Sequence, residues 1–358
     1  MNSQATFGKN KGLGRRGKLI PALVFALILS LVPGCAKRAR LELFAMDTYM
    51  ELTVYGNKAE EALAGAEYKI KDLDGKLSAT DGSSELSRIN LSNGEPVSVS
   101  SDTAEVIHNA LIAAEPLRGA LQLTLRPVSL AWGFTTGEYR IPAEEELEEL
   151  LKLVDDGRIR VDVGSNTVVL PEGMALDLGS VAKGYACDIA AAILQKYNVS
   201  GFLLNMGSST IMAWGKKPDG GRWRIAVRDP AGEGYAGVIE TDGACVSTSG
   251  GRERFFTGED GNTYCHILDP ETGRPVDNGV LAVTVVTEGG LWGDALSTAL
   301  FVMGAEKAEE LYNSADMSPE RRRFEYLFIM EDGSLVLSPG MEELFTPLGR
   351  FAEGGAAQ

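Results

Sequence analysis

The sequence predicts an α+β protein, built largely from antiparallel sheets with helices packed against them. Helix-period segments at 58–77, 101–117 and 144–154 gather in the first half of the chain. From 201 to 287 the pattern changes to short β segments broken by Gly, Asp and Pro. Those strands outnumber the helical crossovers that a parallel sheet requires, which excludes a doubly wound arrangement.

The first 34 residues read as a targeting segment. Lys9, Lys11, Arg15, Arg16 and Lys18 form a basic region, residues 19–32 an apolar core, and Leu31-Val32-Pro33-Gly34-Cys35 a lipoprotein processing box. The apolar run is too short to span a bilayer. The expected mature chain of 324 residues starts at a lipidated Cys35 and is anchored on the extracytoplasmic side of a membrane. The whole chain carries a net charge of −16 with 50 acidic residues. All five basic residues above leave with the signal, so 29 basic residues remain against those 50. That balance excludes nucleic acid as a partner.

Residues 41–55 alternate apolar and polar side chains and predict a strand pair or one long strand. An Ala-, Glu- and Lys-rich amphipathic helix follows at 58–77, and a second at 101–117, capped by Ser101 or Asp102 and stopped near Pro116. A third, at 144–154, is acidic at its start, as the helix dipole prefers. Residues 158–170 predict a hairpin turning at Ser165-Asn166. A loop and long helix occupy 177–197, and two more helices lie at 291–303 and 305–314. Residues 351–358 predict a disordered tail after a domain spanning 35–350. Cys187 and Cys245 sit among small or apolar neighbours and predict buried thiols. Cys265 adjoins His266, but neighbours in a strand face opposite ways, so no dyad is expected.

Three segments carry chemistry. GDALSTALFVMG places Asp294 and Thr298 four residues apart in a helical stretch, so a carboxylate and a hydroxyl share one face and can share one hard cation. HILDPETGRPV sets His266 immediately before a turn. ALDLGSVAKGYACD places Lys183 and Gly179 where a helix begins, a setting suited to phosphate. His108 reads as an ordinary helix-surface histidine. Together the three read as a site for a metal and a phosphorylated ligand.

At these residues, and at LLNMGSST and VSTSGGRERF, the chain resembles the ApbE-type FAD:protein FMN transferases, over about residues 44–304. The resemblance implies a two-lobed, T-fold-like architecture with FAD in the cleft between lobes. It implies Mg2+ held by Asp294, Thr298 and the backbone carbonyl of Ser180. It further implies FAD contacts from Met46, Thr80, Ala120, Leu121, Gln122, Asp177, Lys183 and Ile267, with Asn205 and Gly207 shaping the floor. Catalytic roles fall to Asp294 and to His266, the candidate proton acceptor.

The implied reaction transfers FMN from FAD to a threonine or serine hydroxyl of the flavoprotein subunit of an exported or membrane redox complex, releasing AMP. FAD hydrolysis to FMN and AMP, or FAD binding without turnover, would use the same residues. The chain departs from the family where Thr80 replaces an aromatic, where Leu121-Gln122 replaces Phe-Asp, and where Arg126 replaces a common glycine. A flavin would lose stacking and a carboxylate contact there, which predicts altered FAD recognition.

Overall fold

The computed structural model describes residues 37–314 and 323–353. The segment read above as a targeting signal, with Cys35, lies outside the described residues. In chain order the elements are β1 (Arg38–Ala45), β2 (Thr48–Tyr55), α1 (Ala59–Leu77), α2 (Glu85–Asn90), β3 (Val97–Ser98), α3 (Ser101–Ala114), α4 (Arg126–Trp132) and α5 (Glu144–Leu151). They continue with β4 (Arg160–Asp162), β5 (Thr167–Val169), α6 (Ala182–Lys196), β6 (Gly201–Met206), β7 (Thr210–Gly215), β8 (Trp223–Arg228) and β9 (Tyr235–Thr241). The last are β10 (Ala244–Gly250), β11 (Phe255–Thr257), β12 (Thr263–Cys265), β13 (Val280–Thr287), α7 (Gly290–Tyr312), β14 (Glu325–Met330), β15 (Leu335–Leu337), α8 (Pro339–Leu344), β16 (Phe345–Pro347) and α9 (Arg350–Glu353).

An eight-stranded antiparallel sheet in the order β1-β2-β6-β7-β10-β13-β14-β15 forms the frame. Helices α1, α6 and α7 cover one face, where Ile70, Leu73, Cys187, Leu194 and Leu300 are fully buried. A three-stranded sheet, β16-β9-β8, supplies Ile225, Ile239 and Phe345 to the cluster on the other side with Val246 and Val286. Cover on both faces explains why β13 (VLAVTVVT) is apolar almost throughout and buried at all eight positions. A smaller cluster of Val128, Trp132, Phe134, Leu147 and Leu268 stands apart from these two cores.

The first predicted strand segment is a hairpin. Met46 and Asp47 both take positive φ (50° and 57°), the requirement of a tight two-residue mirror-image turn. The Asp74 carboxylate on α1 accepts from the Met46 amide at 2.8 Å and holds that turn. Ser100, not Ser101 or Asp102, caps α3 by accepting from the Thr103 amide. The two helices expected around residue 304 occur, separated by the non-helical Gly304 (φ 76°, ψ 172°). The chain does not fray at 351: Phe351 is buried in the second core and belongs to α9. Residues 354–358 lie outside the described residues. Cys187, Cys245 and Cys265 are buried free thiols.

Candidate functional site

A cavity of about 400 Å3 opens between the main core and the small cluster around Trp132. Met46, Thr80, Ala120, Leu121, Gln122, Asp177, Ser180, Lys183, His266, Ile267, Asp294 and Thr298 all line it, although they span some 250 positions of the chain. Asn205 does not line it. Its Oδ1 accepts from the Ser208 amide at 2.7 Å and shapes the turn after β6. Gly207 in the same turn takes φ 82°, and a Cβ there would meet Thr48 Oγ1 at 2.2 Å.

Asp294 is the best-held group in the cavity. Strand side chains alternate, so Cys245, Ser247 and Ser249 of β10 share the face that meets α7. Ser247 Oγ donates to Asp294 Oδ1 at 2.9 Å, as does Thr210 Oγ1 from β7 at 2.6 Å. Ser249 Oγ lies 3.3 Å from Thr298 Oγ1 and 2.9 Å from Ser297 Oγ. The third contact to Asp294 depends on glycines. A Cβ on Gly184 would lie 2.1 Å from the Gly290 carbonyl oxygen, so α6 and α7 touch backbone to backbone, and the Gly184 amide donates to Asp294 Oδ2 at 2.7 Å.

That diverted amide would otherwise close a helical turn on the Ser180 carbonyl, which is thereby left open as a ligand. Asp294 accepts three hydrogen bonds on about four lone-pair directions, leaving one. Burial pushes its carboxyl above the ordinary range, opposed by Lys183 and the three donors. Among the described residues no group of three or more His, Cys, Asp or Glu is placed to hold a metal ion. A cation here would therefore rest on one carboxylate, one hydroxyl, one carbonyl and oxygens of a ligand. This all-oxygen set suits a hard ion that keeps part of its shell from phosphate or water.

His266 follows β12 and is fixed by both its amide (3.0 Å) and its Nδ1 (3.1 Å) on the Arg254 carbonyl. A carbonyl can only accept, so Nδ1 carries the proton and Nε2 keeps its lone pair. Desolvation pushes the imidazole down to about 4, with Arg254 and Lys183 adding to the effect. The ring keeps intermediate exposure toward the cavity. It is neutral at pH 7. The turn behind it is tied down by Trp132, whose indole donates to the Gly273 carbonyl at 2.8 Å. Cys265 faces the other way, with Sγ 3.4 Å from the Ile267 carbonyl, so there is no dyad.

In the loop before α6, Asp177 Oδ1 accepts from the Gly179 amide at 2.7 Å and its own amide donates to the Leu123 carbonyl. Thr80 is exposed at the mouth and lies 3.2 Å from Ser78 Oγ. Gln122 does not project freely: its Oε1 accepts from the Asp156 amide at 3.0 Å. Leu121 is buried. Sequence reasoning missed Ser209, Phe134 and Glu253, which also line the cavity. Ser209 Oγ is buried with no partner. Glu253 reaches solvent, yet confinement pushes its carboxyl upward. Ser209 lies inside MGSST and Glu253 inside GGRERF, which could have flagged them, whereas Phe134 lies in neither motif.

The ApbE family profile matches residues 46–319. A FAD:protein FMN transferase of Haemophilus influenzae is 30% identical over 294 residues, 80% of this chain and 82% of that protein. The crystal structure of an ApbE protein from Thermotoga maritima superposes with a TM-score of 0.79 at 30% identity, covering 86% of this chain and 99% of the other. That of the apo flavinyl transferase ApbE of Pseudomonas stutzeri gives 0.75 at 28%, covering 87% and 97%. A family profile over most of the chain, 30% identity to a relative and a shared fold leave one conclusion: this chain belongs to the ApbE family.

Proposed function

We propose that this enzyme transfers FMN from FAD to a threonine or serine hydroxyl of an exported or membrane-bound redox protein, releasing AMP. The observation that carries the reading is the meeting of Asp294, the Ser180–Lys183 loop and His266 around one cavity. The acceptor oxygen bonds to the FMN-side phosphorus, the pyrophosphate P–O bond breaks, and AMP departs with the electron pair. His266, held with Nε2 unprotonated, receives the hydroxyl proton. Lys183 supplies positive charge beside Asp294 at the start of α6. Magnesium, held by Asp294, Thr298 and the Ser180 carbonyl, would neutralise charge on the phosphates. Lipid attachment at Cys35, outside the cytoplasm, would bring the enzyme to its membrane partners.

Incubating the enzyme with FAD, Mg2+ and a flavoprotein-subunit acceptor should add the mass of an FMN to the acceptor and release AMP one for one. AMP and free FMN without any acceptor adduct would instead make the protein an FAD hydrolase. Neither product would leave a binding protein without turnover.

A further inference from the structure

Arg126 stands at the start of α4, and its guanidinium is half engaged. Nη2 donates to the Ala79 carbonyl at 2.5 Å, beside Thr80. Nη1 is buried, has no hydrogen-bond partner, and belongs to a side chain that lines the cavity at only 11% exposure. An unpaired guanidinium N–H in such a place costs free energy unless something fills it. The group nearest in charge is Asp177, whose Oδ2 lies 4.0 Å from Nη1, beyond hydrogen-bonding distance, while its Oδ1 is occupied by the Gly179 amide.

We infer that Arg126 and Asp177 form a donor–acceptor pair that reads the edge of a heterocyclic ring of the ligand. A phosphate would meet the Asp177 carboxylate at the same place and be repelled. An edge carrying an acceptor atom beside an N–H satisfies both: Nη1 donates a hydrogen bond to the acceptor and the ring N–H donates to Asp177. Both ring systems of FAD have such an edge, the flavin at its imide and the adenine at N1 with its amino group. The inference rests on the cavity being the FAD site. It places recognition that Thr80 and Gln122 do not offer on a residue at the start of α4.

Binding of FAD, FMN and ADP, each with Mg2+, is to be measured by calorimetry for the wild type, Arg126→Met and Asp177→Asn. Arg126→Met should weaken FAD and only one of FMN and ADP about tenfold or more, and Asp177→Asn should weaken that same half. Loss confined to FMN assigns the flavin edge, and loss confined to ADP the adenine edge. Equal loss of both halves would point to a phosphate contact and overturn the inference. So would unchanged binding of all three, which would make Arg126 a strut for residue 79. Arg126→Lys, which cannot hold the Ala79 carbonyl and reach the ligand together, carries the same test if the methionine variant does not fold. Wild-type protein that binds none of the ligands would overturn the proposed function itself.

Discussion

At the scale of single residues, the carboxylate expected to hold a metal also holds the fold. Asp294 ties α7 to β7, β10 and the start of α6. Truncation to alanine would strand three donors, so Asp294→Asn is the cleaner probe. AMP release should fall about 100-fold or more while circular dichroism still reports a folded protein. Unchanged turnover would remove Asp294 from the site. Gln122→Asp should lower the urea midpoint, because the shorter side chain gives up the bond from the Asp156 amide and adds negative charge near Asp156, whose carboxyl is already pushed up by burial and by Asp155.

Asp188 offers a pH test. It accepts from the Gly290 and Leu291 amides, and burial pushes its carboxyl up to about 6. A carboxyl raised in the folded state contributes stability below its unfolded value near 3.9 and loses it as pH rises through the folded value. Relative to Asp188→Asn, wild-type stability should therefore decline between pH about 4 and about 6, by about 1–3 kcal/mol, and stay level above. Denaturation midpoints across that range check the sign. A gap that widened in the wild type's favour would contradict it.

At the scale of elements, the site depends on two helices that approach without side chains between them. Gly184→Ala puts a methyl group on the Gly290 carbonyl. The helices must part, and the amide bond to Asp294 lengthens with them. A loss of about 1–3 kcal/mol in urea unfolding and a rise in the FAD dissociation constant are expected together. Stability lost without weaker binding would separate the crossing from the site. The β1–β2 turn is a second such element, since Met46 reaches the cavity from a positive-φ turn that Asp74 holds. Asp74→Ala should weaken FAD several-fold with little change in the sheet.

For the whole molecule, the cavity is walled by segments from residue 46 to residue 298 that meet only in the folded chain. A ligand that bridges them binds the native state alone. FAD with Mg2+ at 100 times its dissociation constant should stabilise the enzyme by about 2.7 kcal/mol and raise the melting temperature accordingly. The shift should be lost when Mg2+ is chelated. A shift that survives chelation would place the metal outside FAD binding.

Much of the fold is legible along the chain. Helical periodicity located α1, α3, α5 and α6, the break at Gly304 was visible as two helices, and alternation located β1 and β2, because these signals are local. The motifs around Asp177, His266 and Asp294 named the residues of the site for the same reason: each sits within a few positions of its own turn or helix start. What decided their arrangement is not local. The pairing of β2 with β6, the glycine contact that turns the Gly184 amide to Asp294, and the Asp156 bond that holds Gln122 join positions from 34 to 156 apart. No local propensity encodes such pairs. The half-satisfied Arg126 belongs with them, since a polar atom is unpartnered only with respect to everything folded around it.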